Sequence, residues 1–165
     1  MPRANAPAAV TRAQFIKLLE QRALSGAWLA EGSDAALRDE TIQAVREIYL
    51  APGMVDLDCA VLEAPTADAF IAACETVPFL SEKRLIMVKD PPYLSGRAEA
   101  DDRLKDYLIH VPPFCVLVFI CHGKVDARKS LVRQIGKTGQ VITFSPMGDA
   151  DRSEERRVGK ECRSR

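Results

Sequence analysis

No apolar run in this chain approaches the roughly 18 residues of a membrane span, and the N-terminus lacks a signal-peptide core followed by a small-residue cleavage site. From those two absences a soluble, cytoplasmic protein is expected. An excess of charge is missing as well: 23 Lys and Arg stand against 23 Asp and Glu. That balance removes the simple electrostatic case for a polyanionic partner, although a local basic patch can hide within the sum. Paired cysteines are also absent. Cys59, Cys74, Cys115, Cys121 and Cys162 are scattered, odd in number and never spaced as C-x-x-C, which reads as reduced thiols in a cytosol. What is present is a chain of 165 residues, 47% of them hydrophobic, long enough for one domain with a real core and short for two.

Hydrophobic periodicity divides this length into alternating elements. Residues 1–10 are Ala- and Pro-rich without period, and are expected to be disordered. Thr11 with Gln14 forms a capping box opening an amphipathic helix that carries Phe15, Leu18 and Leu19, closed by Gly26. Ala27 to Ala30 is a short apolar run, and after the turn at Gly32 a helix carries Leu37, Ile42, Val45, Ile48 and Tyr49 until Pro52 and Gly53 end it. Leu57 to Leu62 reads as a second strand, followed by a helix capped by Thr66 with Ala69, Phe70, Ala73 and Val77 on its apolar face. Arg84 to Lys89 is a third strand, Pro91 to Ala100 a loop, Asp101 to His110 a helix, and Phe114 to Cys121 the most apolar strand. Asp126 is expected to cap a helix bearing Leu131, Val132 and Ile135, and Gln140 to Phe144 is the last strand. Five strands alternate with helices, and the middle strands are apolar on both faces. That pattern predicts a three-layer α/β domain with a mainly parallel five-stranded sheet.

Chemistry in such a fold centres on the turn after the first strand, where a helix N-terminus offers free N–H groups to phosphate. Here the turn reads Gly32-Ser33-Asp34-Ala35-Ala36-Leu37-Arg38. It lacks the second Gly, the Lys and the Ser/Thr through which a P-loop cradles phosphate and holds magnesium. Asp34 would repel a phosphate and suits an N-cap instead. Cys121-His122 has no further ligand at metal spacing and no orienting partner, so it reads as a buried strand cysteine followed by a surface histidine. His110 reads as a helix-end residue. Lys124 to Lys129 is a charged cluster at a helix start, first a solvated face and only secondarily a contact. No catalytic constellation, metal site or cofactor site emerges.

One stretch resists a bland reading. Val77-Pro78-Phe79-Leu80-Ser81-Glu82-Lys83 joins a helix to a strand and places two bulky apolar residues where connections are ordinarily polar. Phe79 and Leu80 are either a plug returning to the core or a foot offered to another protein.

A strand ending in Leu29-Ala30-Glu31-Gly32-Ser33-Asp34, a helix with Leu37-Arg38-Asp39-Glu40 and the block from Thr76 to Asp90 together resemble the N-terminal domain of the bacterial DNA polymerase III delta subunit. Pro112 to Phe119 and Lys124 to Val132 fit that family in the same order. The resemblance covers roughly Trp28 to Phe144 and is most specific over Val77 to Lys89. It implies an AAA+ type, P-loop-NTPase-like fold over residues 11–148 with a degenerate P-loop at Gly32, Ser33 and Asp34, no ATPase activity and no cofactor. It implies a role in DNA replication: the clamp-loader subunit that grips the ring-shaped sliding clamp (beta) and helps open it, within a holoenzyme that is a DNA-directed DNA polymerase. The implied clamp-binding residues are Phe79 and Leu80 with Val77 and Pro78 beside them. The implied partners of the full-length protein are the gamma/tau and delta prime loader subunits, with DNA touched weakly or indirectly.

Two departures from the family pattern stand out. The helical lid and collar domains of delta proteins are missing here, which puts loader assembly by this chain in question. Residues 152–165 resemble the translation of a sequencing-library adapter, to be set aside in fold reasoning. Without that tail's six basic and three acidic residues, 17 basic stand against 20 acidic, and strong autonomous DNA binding is disfavoured.

Overall fold

Thr11 accepts the N–H of Gln14 at 3.3 Å while the Gln14 amide oxygen accepts the N–H of Thr11 at 3.0 Å, so the capping box forms as its spacing predicts. The computed structural model describes residues 9–144. The adapter-like tail and residues 1–8 of the segment expected to be disordered lie outside the described residues. The elements in order are β1 (Ala9–Val10), α1 (Arg12–Glu20), β2 (Gly26–Glu31), α2 (Ala35–Tyr49), α3 (Val55–Asp58), β3 (Cys59–Glu63) and α4 (Ala67–Glu75). They continue with β4 (Arg84–Lys89), α5 (Pro92–Ser95), α6 (Asp102–Tyr107), β5 (Cys115–Cys121), α7 (Ser130–Thr138) and β6 (Gln140–Thr143).

The strands form one sheet in the order β1-β6-β2-β5-β4-β3, and every pairing is parallel. The three-layer expectation holds for a physical reason visible in the alternation. In β5, Cys115, Leu117, Phe119 and Cys121 enter one core together with Phe70 of α4, Leu104 of α6 and Ile135 of α7. Val116, Val118 and Ile120 enter the opposite core with Phe15 and Leu19 of α1 and Val45 and Tyr49 of α2. Each face of a strand that is apolar on both sides has its own helical layer, which is what a buried parallel sheet requires.

Several boundaries differ from the sequence reading. The sheet has six strands, because Ala9 and Val10 pair with Val141 and Ile142; a two-residue strand carries no period, and its partner lies at the far end of the chain. Helix α1 ends at Glu20 with Gln21 as its C-cap, before Arg22 at a φ of 54°, and Gly26 opens β2 instead of closing that helix. Helix α2 stops at Tyr49 ahead of Pro52 and Gly53, and α6 ends at Tyr107, short of His110. The stretch from Pro91 to Ala100 includes the turn of helix α5. Leu57 belongs to the helical turn α3, and the strand starts at Cys59. Asp126 does not cap α7, whose N-cap is Lys129; its carboxylate accepts the N–H of Arg128 at 2.9 Å, and its carbonyl accepts that of Lys129 at 3.0 Å. The local Asp signal was spent on a turn one step earlier.

Candidate functional site

A parallel sheet has two unlike ends, and the two stretches singled out above fall on opposite ones. The turn at Gly32 follows the C-terminal end of β2, the usual ligand edge of such sheets. The connection from Val77 to Lys83 leads into the N-terminal end of β4. These sites are separate, and each has its own chemistry.

At the Gly32 turn several of the N–H groups a phosphate would need are engaged by the protein itself. The N–H of Gly32 donates to the Gly123 carbonyl at 3.3 Å, and the N–H of Asp34 to the Phe144 carbonyl at 3.2 Å. The Asp34 carboxylate accepts the N–H of Leu37 at 3.0 Å, the N-cap the sequence predicts. A buried carboxylate, Glu31, stands at the strand end, accepting from Val125 N–H at 2.9 Å and the Thr143 hydroxyl at 3.2 Å. Arg38, also buried, donates toward the carbonyls of Gly32 at 3.5 Å and Cys121 at 3.4 Å. Ser33, Ala35 and Ala36 are exposed. Gly32 is required here for packing: its φ is 126°, and a Cβ on it would lie 1.9 Å from the Phe144 carbonyl oxygen. Gly32→Ala is therefore expected to destabilise the chain by about 1–3 kcal/mol, the cost of overpacking, read in denaturant melts.

Cys121 is buried and His122 exposed, as expected, but His122 has an orienting partner in Asp90, which lies 32 positions away in the chain. Cys121 is buried, its thiol pushed up to about 12 by burial, with Asp90 and Glu31 adding to it. His122 is exposed; its N–H donates to the Asp90 carboxylate at 2.9 Å, and its ring Nδ1 touches the same carboxylate. Among the described residues no group of three His, Cys, Asp or Glu is placed to hold a metal ion. His110 donates its N–H to the Tyr107 carbonyl just past α6. Within the charged cluster, Lys129 reaches Glu99 at 3.1 Å and Arg128 pairs with Asp126 at 3.0 Å, so those charges are spent within the domain.

At the other end of the sheet, Phe79 is 71% exposed, and Leu80 and Val77 are each 66% exposed. Pro78 is half-buried beside them. The plug reading fails here, because no core receives these side chains. The connection that carries them is nevertheless firmly tied. Arg84 donates to the Ala73 carbonyl at 2.9 Å and to the Leu57 carbonyl at 2.8 Å. Lys83 donates to the Pro113 carbonyl at 2.6 Å, the Ser81 hydroxyl accepts the Ala51 N–H at 2.9 Å, and Arg22 pairs with Glu82. The apolar side chains stand outward from a backbone whose polar groups are bound.

The central tie is Asp58, which the sequence reading passed over as part of a strand. Its residue is fully buried. Oδ1 accepts the N–H of Phe79 at 2.5 Å, while Oδ2 accepts those of Ser81 at 2.9 Å and Leu80 at 3.2 Å. Burial alone would raise this carboxyl; the N–H of Phe79, the hydroxyl and N–H of Ser81 and the N–H of Leu80 outweigh it and hold it down to about 2. Because the folded value lies below the ordinary 3.8, the unfolded chain takes up this proton first. The stabilisation is complete above the ordinary value and disappears as pH falls through it toward 2. Melting temperatures of wild type and Asp58→Asn measured between pH 6 and 2 should therefore converge at the acid end. The signal for Asp58 in the sequence is faint, an acid between the apolar Leu57 and the strand, and its partners lie more than twenty positions away.

Comparison with known proteins shows the family. Residues 28–145 match the family of the DNA polymerase III delta subunit. The DNA polymerase III subunit delta of Bacillus subtilis is 30% identical over 115 residues, covering 64% of this chain and 33% of that protein. The solved Bacillus subtilis DNA clamp loader delta protein superposes with a TM-score of 0.74 at 23% identity, over 85% of this chain and 44% of that one. A DNA polymerase III gamma subunit-related protein of Thermotoga maritima does so with a TM-score of 0.58 at 12% identity, over 86% of this chain and 47% of that one. The last two likenesses are of fold. The chain spans about a third of the length of the curated relative it matches.

Proposed function

Since the chain belongs to the DNA polymerase III delta subunit family, we propose that it acts as the clamp-binding domain of a clamp-loader delta subunit, gripping the sliding clamp through Phe79 and Leu80 with Val77 and Pro78 at their side. The observation that carries this reading is the exposure of that apolar pair on a tied connection within the matched region. An exposed aromatic-aliphatic pair on a fixed backbone is suited to enter a pocket of a partner, where desolvated large side chains supply most of the affinity. In the full-length protein this grip would help open the ring for loading onto primed DNA, alongside gamma/tau and delta prime subunits. Opening requires tighter binding to the open ring than to the closed one, so grip is one part of that role.

We also propose that this domain is no ATPase by itself. The engaged amides of the Gly32 turn and the buried Glu31 carboxylate support that reading. Among the described residues no helix is long and apolar enough to cross a membrane, which suits a partner of replication proteins. The test is titration calorimetry of the chain against its cognate sliding clamp. Micromolar or tighter binding is expected; a folded chain that takes up no clamp overturns the proposal.

A further inference from the structure

We propose that Asp58 is a positioning residue for the apolar foot: its buried carboxylate gathers the backbone N–H groups of Phe79, Leu80 and Ser81 and presets the turn from which Phe79 and Leu80 reach the clamp. This inference rests on the clamp-binding reading and adds a residue to it that makes no contact with the clamp itself.

The geometry has features that a plain structural role does not need. Residues 76–83 lie in no helix or strand, and the amides of Phe79, Leu80 and Ser81 donate to this one carboxylate in place of a ladder. Three successive N–H groups turned toward one anion form the concave backbone arrangement that elsewhere binds free anions; here the anion is supplied by the chain. An apolar residue of the same size would leave the N–H groups of Phe79, Leu80 and Ser81 without their acceptor. What a carboxylate can do that an apolar residue cannot is fix the direction of three consecutive peptide planes. Ser81 extends the arrangement, since its N–H donates to Asp58 at 2.9 Å and its hydroxyl accepts the Ala51 N–H at 2.9 Å. Asp58 is itself held by α3, where its N–H donates to the Met54 carbonyl at 2.9 Å. The carboxylate thus joins a fixed helical turn to a connection carrying side chains that are 71% and 66% exposed. Such exposed side chains gain little from their own domain, so only a partner benefits from their being held in one direction. A turn ordered before association spares the complex the entropy of ordering it.

The experiment combines an exchange measurement with a binding cycle. In the free wild-type chain the amides of Phe79, Leu80 and Ser81 should exchange with deuterium at least tenfold more slowly than unprotected amides; exchange at the unprotected rate overturns the proposal whatever any variant does. Clamp affinity is then measured for wild type, Asp58→Asn, Leu80→Ala and the double variant, with melts of each. Asp58→Asn should fold and bind about tenfold more weakly, and its effect should shrink to about twofold or less in the Leu80→Ala background. A merely structural role would give equal losses in both backgrounds, and that result overturns the proposal, as does a folded Asp58→Asn binding within twofold of wild type. Should Asp58→Asn fail to fold, Asp58→Glu, which keeps the charge but moves its oxygens by one methylene, takes its place in the same cycle with the same criteria. Failure of wild type to bind clamp at all would instead strike the clamp-binding reading, and slow exchange at these amides would still identify the preset turn.

Discussion

Phe79→Ala combined with Leu80→Ala is expected to abolish detectable clamp binding while leaving the melting temperature nearly unchanged. Burying side chains of this size contributes about 1.5–3 kcal/mol each before ordering costs, so the pair accounts for roughly 3–6 kcal/mol, or on the order of 10² to 10⁴ in Kd. From a micromolar starting point that moves binding out of calorimetric range. Stability should move little, because both side chains are mostly exposed in the free chain, and surface substitutions usually stay within about 0.5 kcal/mol. Titration and thermal melts of the same two samples read both halves of the expectation. A large drop in stability would return the pair to the core, and retained binding would place the grip elsewhere.

Phe119→Ala should give the reverse result. This phenylalanine is fully buried in the central strand β5. Its ring stacks on that of Phe70 at 5.9 Å, and Phe70 meets the edge of Tyr107 at 6.1 Å. Truncation leaves a void between β5 and α4 that rigid strands on both sides cannot close, and such cavities cost about 3–5 kcal/mol. Against the usual net stability of about 5–15 kcal/mol, that is a major fraction of what holds the domain, and denaturant melts should show the midpoint fall accordingly. Whatever fraction stays folded should bind clamp as wild type does, since Phe119 lies inside the sheet and the foot stands outside it. Two phenylalanines of one chain thus separate fold from function.

The pattern in the sequence was sufficient for the elements that depend on near neighbours. Thr11, Asp34 and Thr66 act as N-caps through bonds to residues three positions on. The strand from Arg84 to Lys89 matches its apolar run to the residue. The degenerate turn was legible because a P-loop needs named residues at fixed spacing, and their lack is visible without a structure. Less was legible where a bond spans the chain. Strand β1 exists only because β6 offers it an edge. Asp126 looks like a cap and is drawn instead into a turn before α7.

By itself, then, the sequence determined the α/β alternation, the parallel sheet and the disarmed turn, since periodicity and local hydrogen bonding act over a few residues. Whether Phe79 and Leu80 are core or surface was decided by the tertiary structure alone, because burial is a sum over neighbours brought in from elsewhere in the chain. The same holds for Asp58: only the packing of α3 against the connection before β4 places its carboxylate under the three amides of the foot.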